Sequence, residues 1–299
     1  MNPSRGPGPR EGPGPNGGPG PNGGPGPSGG AVPDEGPIPG LGGEEAARFF
    51  SRLAEAPASL LLLDYDGTLA PFKENPAEAR PYPGVEPRLG EISEISRLVL
   101  VTGRSLESIL PLLRIDPLPE VWASHGREHR LPGGEVRSTP PMKDQREGLR
   151  AGREALRSAG ISGRTEEKPF SVAFHVRGLE RSLGVESMAR VREIWFPFVR
   201  GGGLEISPFD GGLELRAPGW SKGDAVSELI GGSPGAPAAY LGDDETDEDA
   251  FRALGEGGEG GLPVLVRSEW RPTLARVWLR PPGELMEFLS RWLEALRRL

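Results

Sequence analysis

Apolar residues gather in short runs that stop abruptly at polar clusters. Leu60, Leu61, Leu62 and Leu63 run into Asp64, Tyr65, Asp66, Gly67 and Thr68. Residues 98–101 are apolar and stop at Thr102, Gly103 and Arg104. Residues 239–242 run into an acidic stretch over 243–249 that Thr246 alone interrupts. Unbroken apolar runs of this length read as strands buried on both faces, as in a parallel sheet. Strands are expected to end at Asp64, Thr102, His125 and Asp243. Helical patterns over 84–94, 106–114, 222–230 and 246–254 alternate with them. That alternation predicts a mostly parallel sheet with helices on both faces. Residues 263–266 and 276–279 read as strands toward an edge. Residues 284–299 carry leucines, Phe288 and Trp292 at helical spacing and predict a helix packed on the core.

Between Pro140 and Pro218 the rhythm changes. A helix over 144–159 precedes strands over 164–168 and 171–177. A helix over 179–199 then precedes strands over 204–207 and 212–216, with glycine turns at 201–203 and 211–212. Two helix-strand-strand units predict a small α+β lid on a four-stranded antiparallel sheet. The expected organisation is a Gly/Pro-rich tail over 1–43, a core over 44–139 and 219–299, and an inserted domain over 140–218. Residues 6–30 hold no aliphatic or aromatic side chain to bury, so ordering them has no apolar return.

Charge narrows the partners. With 35 basic and 43 acidic residues the net charge is −8. That argues against nucleic acid, whose binding depends on neutralised phosphates. It leaves a small phosphorylated substrate open, because local cations can recruit one. No apolar run of about 18 residues exists to span a membrane. The absence of cysteine excludes disulfides and thiol catalysis and is compatible with the cytoplasm, where the protein is expected.

The strand ends carry the candidate chemistry. Asp64 and Asp66 are two apart and lean to one side of an extended chain. Two carboxylates this close call for a cation, and an all-oxygen donor set suits Mg²⁺. Gly67 permits a turn and offers a backbone N–H to an anion. Thr102 and Gly103 before a helix start resemble a phosphate cradle. Lys222, at the opening of a helix, is one of only four lysines. Its ammonium reads as a point charge for a phosphate. Acids at 243–249 exceed what helix capping requires.

Six stretches in this order resemble the haloacid dehalogenase (HAD) phosphatases and, more narrowly, the trehalose-6-phosphate phosphatase family. The family's DYDGTL stands at 64–69 and VTGR at 101–104. A GxHGxE-like stretch lies at 123–128, and EDK with HYR is matched at 166–168 and 175–177. The ELRP…KG pattern is matched at 214–223 and GDDxTDEDAF at 242–251. Val176 stands where the family has an aromatic residue, and Ser124 departs slightly from the common form. The resemblance covers about residues 44–299. It implies a Rossmann-like, doubly wound α/β core with an inserted C2-type α+β cap.

It also implies a Mg²⁺-dependent hydrolysis of trehalose 6-phosphate through an aspartyl-phosphate. Asp64 is then the nucleophile and Asp66 the acid and base, while Thr102 and Lys222 hold the phosphoryl group. The metal falls to the Asp64 carboxylate, the backbone carbonyl of Asp66 and Asp243, with Asp244 and Asp247 behind them orienting metal-bound waters. Gly67, Gly103, Arg104, His125, Gly126, Glu128, Glu167, Lys168, His175, Arg177 and Glu214 are the expected substrate contacts. Sucrose phosphate or a glycosyl-phosphoglycerate is the rival substrate. A phosphotransferase or mutase on this fold would pass the group to an acceptor sugar. A non-catalytic sugar-phosphate sensor would lack the nucleophile, the acid or the lysine, and all three are present. No residue pattern points to a synthase partner.

Overall fold

The computed structural model describes residue 1 and residues 36–297, except 74 and 259. The expected tail lies outside the described residues as far as residue 35. Its last residues join the fold: Trp278 N–H donates to the Pro39 carbonyl at 3.0 Å, and Leu41 is buried.

The chain begins with α1 (Glu44–Glu55), β1 (Leu60–Leu63), α2 (Val85–Ser93), β2 (Arg97–Val101), α3 (Leu106–Ile109), β3 (Glu120–Ala123), β4 (Glu128–Arg130) and β5 (Val136–Ser138). It continues with α4 (Lys143–Ser158), β6 (Thr165–Glu167), β7 (Ser171–His175), α5 (Arg181–Gly202), β8 (Glu205–Phe209) and β9 (Gly212–Arg216). It closes with α6 (Lys222–Gly231), β10 (Ala238–Gly242), α7 (Glu248–Glu256), β11 (Gly261–Val266), β12 (Val277–Leu279) and α8 (Gly283–Leu296). One sheet has eight strands in the order β12-β11-β10-β1-β2-β3-β4-β5; a second has the order β6-β7-β9-β8.

Successive side chains of a strand point to opposite faces, so the leucine run serves both. Leu61 and Leu63 join the apolar cluster that includes Phe49 of α1, Leu89 of α2 and Trp292 of α8. Leu60 and Leu62 join the opposite cluster with Val226 of α6 and Phe251 of α7. β1 lies between β10 and β2, parallel to both, with Leu63 opposite Leu241 and Leu100. This register brings Asp64, Asp243 and Thr102 to one edge of the sheet, beyond the carboxyl ends of its strands.

Three local details differ from the expected elements. β3 stops at Ala123, because Ser124 and His125 take φ of +49° and +56°. The helix expected over 106–114 becomes a 3₁₀ turn at Leu110–Leu112, which contains Pro111. β4 and β5 form an antiparallel hairpin at the sheet edge, turned at Gly133 and Gly134 with φ of +91° and +98°.

The second sheet is antiparallel and buries one face under α4 and α5. Val172 and Phe174 from β7 and Leu213 and Leu215 from β9 meet Leu149, Leu156, Val191 and Trp195 there. Gly152 allows the close approach, since a Cβ there would lie 2.5 Å from the Leu215 side chain. The fully buried Trp195 donates its indole N–H to the Gly152 carbonyl at 3.2 Å. Trp195→Ala is expected to cost about 3–5 kcal/mol of unfolding free energy. Denaturant unfolding followed by tryptophan fluorescence checks this. A loss below about 0.5 kcal/mol, the level of a surface change, would contradict the packing described.

Candidate active site

Asp64 follows β1 directly, and its backbone N–H donates to the Leu241 carbonyl at 2.9 Å. Lys222 is the first residue of α6, whose start is closed by a capping box between Ser221 and Asp224. Its ammonium is 4% exposed and donates to Asp64 Oδ1 at 2.9 Å and Asp247 Oδ1 at 2.7 Å. Asp247 also accepts from the Tyr240 hydroxyl at 2.6 Å and from the backbone N–H groups of Asp243 and Asp244 at 2.9 and 3.0 Å. With four bonds to its two oxygens, Asp247 braces the site.

One carboxylate oxygen from each of Asp64, Asp243 and Asp247 lies within 4.8 Å of the other two, and all three residues are buried. Burial drives the Asp64 carboxyl well above its usual value, against the pull of Lys222. Burial and the neighbouring Asp244, Asp64 and Asp247 do the same to Asp243. Burial would lower Lys222, but Asp247 and Asp64 outweigh it and hold the ammonium well above its ordinary value. One ammonium among buried carboxylates is the signature of a place for a hard cation. Asp64 and Asp243 have the donor chemistry for a divalent metal.

The side chains of two residues expected near the metal are engaged by protein groups. The Asp66 carboxylate is held in a fork by Arg104, with Nε at 2.6 Å and Nη2 at 2.7 Å. Asp244 accepts from Thr246 through its N–H and hydroxyl, at 2.8 and 2.6 Å, capping the turn that presents Asp247. Gly67 also needs a correction. Its N–H donates to the Ala70 carbonyl at 2.8 Å and is spent within the turn. The glycine is required for space and conformation: φ is +82°, and a Cβ would lie 2.1 Å from Asp243 Oδ2. Nor does α3 offer a free start, because Leu106 N–H donates to Glu128 Oε2 and Ser108 N–H to Ser105 Oγ.

A cavity joins these strand ends to the open face of the second sheet. It is lined by Asp64, Asp66, Thr102, Gly103, Arg104, His125, Lys222, Asp243 and Asp244 from the core. Lys168, His175, Arg177 and Glu214 line it from the other side. A larger cavity of about 890 Å³ runs along α5 and shares only Phe209 and Asp244 with it. The chemistry belongs to the smaller one, where the carboxylates and the lysines converge.

Glu214 is the hub of the upper wall. Oε1 accepts from Lys168 Nζ at 3.1 Å and Ser171 Oγ at 2.7 Å, and Oε2 lies 3.1 Å from His125 Nε2. Burial would raise its carboxyl, but Lys168 and His125 outweigh it and hold it well below the usual range. His125 itself is held below its ordinary value by burial, against the pull of Glu214. Its ring covers Gly103, where a Cβ would lie 2.7 Å from Cε1. Arg177 stacks its guanidinium 3.6 Å from the Phe72 ring centre.

Besides Gly67, three expected substrate contacts lie outside the cavity. Glu167 pairs opposite Val172 and so faces the helices, where it meets Arg153 of α4. Its neighbour Glu166 occupies the cavity face instead, 2.9 Å from His175 Nε2. Burial would raise the Glu166 carboxyl, but the bond to His175 and the charge of Lys168 lower it below the usual value. Val172 and Phe174 lie on the helix face of β7, and the register of β6 against them leaves the cavity face to residues 166 and 168. Gly126 packs on Trp220, where a Cβ would lie 3.0 Å from the ring. Glu128 accepts from Ser124 Oγ at 2.6 Å and steadies the loop. Phe72, Lys73, Ser207 and Phe209 also line the cavity and carried no motif.

A model of the trehalose-phosphatase family matches residues 62–278. The trehalose-phosphate phosphatase of Mycobacterium avium is 31% identical over 277 residues, covering 87% of this chain and 65% of its own. The chain therefore spans less than two thirds of that relative's length. The C-terminal domain of a trehalose-6-phosphate phosphatase from C. albicans shares the fold with a TM-score of 0.73 at 22% identity, covering 86% of this chain and 98% of that one. A trehalose-6-phosphate phosphatase related protein superposes with a TM-score of 0.61 at 28% identity, over 80% and 97% of the two chains.

Asp243 gives the first test of this geometry. A carboxyl whose folded-state pKa is raised favours the fold only while protonated; that contribution is lost as pH rises. At neutral pH and without metal, Asp243 therefore works against folding. Asp243→Asn is expected to stabilise the metal-free protein by about 0.5–2 kcal/mol while removing stabilisation by Mg²⁺. Thermal unfolding in chelator and in Mg²⁺ measures both. A less stable variant in chelator would contradict the electrostatic reading.

Proposed function

The chain belongs to the trehalose-phosphatase family, whose fold is of the HAD type, and we propose that it hydrolyses trehalose 6-phosphate to trehalose and phosphate. The observation that carries this reading is the Lys222 ammonium between Asp64 and Asp247, at strand ends roofed by Glu166, Lys168, His175 and Glu214. A phosphate monoester needs positive charge and an aimed nucleophile at one end and hydroxyl partners at the other. The cavity supplies both.

Asp64 attacks the phosphorus, forming an acyl-phosphate bond as the bond from phosphorus to the sugar oxygen breaks. Asp66 protonates the departing oxygen and then takes the proton of the water that hydrolyses the aspartyl-phosphate. The fork from Arg104 aims the Asp66 carboxylate between these steps. Thr102 and Lys222 hold the phosphoryl oxygens as their charge is redistributed. Asp64, Asp243 and the Asp66 main-chain carbonyl would hold Mg²⁺, which would supply neutralisation of phosphoryl charge. Residues 140–218 act as the cap, and the charged groups on its open face hydrogen-bond the sugar hydroxyls. Among the described residues no helix is long and apolar enough to cross a membrane. With no cysteine in the chain, we place the enzyme in the cytoplasm.

Phosphate release from trehalose 6-phosphate, sucrose phosphate and 4-nitrophenyl phosphate, in chelator and in Mg²⁺, tests the assignment. The first substrate is expected to be preferred, with activity lost in chelator and restored by Mg²⁺. Asp64→Asn is expected to abolish turnover while unfolding remains cooperative. Normal release by that variant would exclude the covalent route.

Glu166 and Glu167 separate the two faces of β6. Glu166→Gln is expected to lower kcat/KM for trehalose 6-phosphate by about 10–100-fold, as one charged hydrogen bond is weakened. The aryl phosphate, which lacks the sugar, should be spared. Glu167→Gln is expected to change either rate by less than about twofold, as a surface substitution does. Equal effects from the two variants would reject the assignment of faces.

A further inference from the structure

The chain crosses between the two sheets twice, over residues 139–142 on the way out and 217–221 on the way back. Prolines stand in both crossings, at Pro140, Pro141 and Pro218. Proline has no N–H, so it cannot donate a backbone bond to hold the crossings together. Arg127 bridges them instead. It is 6% exposed, Nη1 donates to the Thr139 carbonyl at 3.2 Å, and Nη2 donates to the Ala217 carbonyl at 3.0 Å and to that of Pro218. Thr139 N–H donates back to the Arg127 carbonyl at 2.9 Å. The guanidinium lies 5.9 Å from the Phe170 ring centre, and Ala217 N–H donates to the Phe170 carbonyl at 3.3 Å.

A buried guanidinium is costly unless its donors are used. Among the described residues Arg127 makes no ion pair, and its partners are main-chain carbonyls from both crossings. A side chain retained at that cost, where the two connections meet, sets their relative angle. The sugar-facing groups lie close by in sequence. Glu214 is three residues before Ala217, Ser171 follows Phe170, and His125 is two residues before Arg127. A small rotation at the crossings therefore alters the 3.1 Å approach of His125 to Glu214 across the cavity.

We infer that Arg127 is the hinge staple of the cap, a positioning residue that fixes the angle at which the second sheet closes on the phosphate site. It touches no reacting atom. Its planar fork reaches carbonyls of two segments at once, which the single ammonium of lysine does less well. The inference rests on reading the second sheet as a substrate cap, so one arm of the test uses no substrate.

That arm is hydrogen exchange at the amides of Thr139, Met142 and Ala217 in the full chain. In Arg127→Gln these amides are expected to exchange about tenfold faster or more, the scale of losing charge-assisted bonds, while those of β1 and β10 keep their protection. Unchanged exchange at the crossings would overturn the staple. The second arm compares substrates. Arg127→Gln is expected to lower kcat/KM for trehalose 6-phosphate by about 10–100-fold, the usual effect of a misplaced contact, and to leave 4-nitrophenyl phosphate within about twofold. Arg127→Lys should restore part of the sugar-phosphate rate. Parallel loss on both substrates would make Arg127 a general folding residue and reject the proposal. If Arg127→Gln does not fold, Arg127→Lys decides by the same exchange criterion. If the wild-type chain releases phosphate from the aryl ester alone, the substrate assignment fails, and the exchange result still decides the staple.

Discussion

Three buried carboxylates share one buried ammonium, and the strand ends are built around that imbalance. Asp64, Asp243 and Asp247 converge with little of their surface exposed, so each charge is poorly solvated. Lys222 offsets part of this through bonds to Asp64 and Asp247. Asp247 is further satisfied by a phenol and two backbone amides, so the deficit is left on Asp64 and Asp243. Those two carboxyls are the ones held well above their usual range. An anionic substrate would deepen the deficit, which is why the site's chemistry calls for a divalent cation alongside the lysine. Parallel pairing of β10, β1 and β2 makes such crowding unavoidable, since it ends three strands side by side.

The two sheets divide the remaining work. The central parallel strands β10, β1 and β2 are covered on both faces, so polar groups collect at their carboxyl ends. The four-stranded sheet is covered on one face, so its other face can be polar along its whole length. Glu166, Lys168, His175 and Glu214 use that freedom. One contact between the two sets runs through His125 and Glu214. His125 reaches its place through a left-handed backbone, φ +56°, and through the missing side chain of Gly103. Both are departures from regular structure, and both serve the approach of the two halves.

Much of this was legible in the residues. The leucine run, the abrupt polar ends and the change of rhythm after Pro140 follow from burial, which acts on each residue where it stands. What was not legible depends on partners. Asp66 and Gly67 sit within the motif that carries Asp64, yet one is gripped by Arg104 and the other spends its N–H on Ala70. Hydrogen-bond partners far along the chain, or across a tight turn, leave no periodic trace. Glu167 is a different case. A strand of three residues gives too little alternation to say which acid faces in, until pairing with Val172 and Phe174 decides it. The β4–β5 hairpin is short, and its exposed β5 leaves a weak apolar pattern, so only Gly133 and Gly134 mark it.

The split between lysine and arginine follows the same physics. Of the four lysines, Lys73, Lys168 and Lys222 line the cavity, while Lys143 is exposed. An ammonium is compact and can sit between two carboxylates that are themselves close, as Lys222 does. It also keeps three donors that can turn toward phosphoryl oxygens or hydroxyls. A guanidinium is planar, with donors in fixed directions, and suits fixed acceptors: the Asp66 carboxylate for Arg104, and the crossing carbonyls for Arg127. Under the proposed function, Lys222 stands where the partner would change during turnover, whereas Arg127 holds carbonyls that are part of the frame. Arg104 lies on the boundary, since the carboxylate it holds is the one assigned to exchange protons.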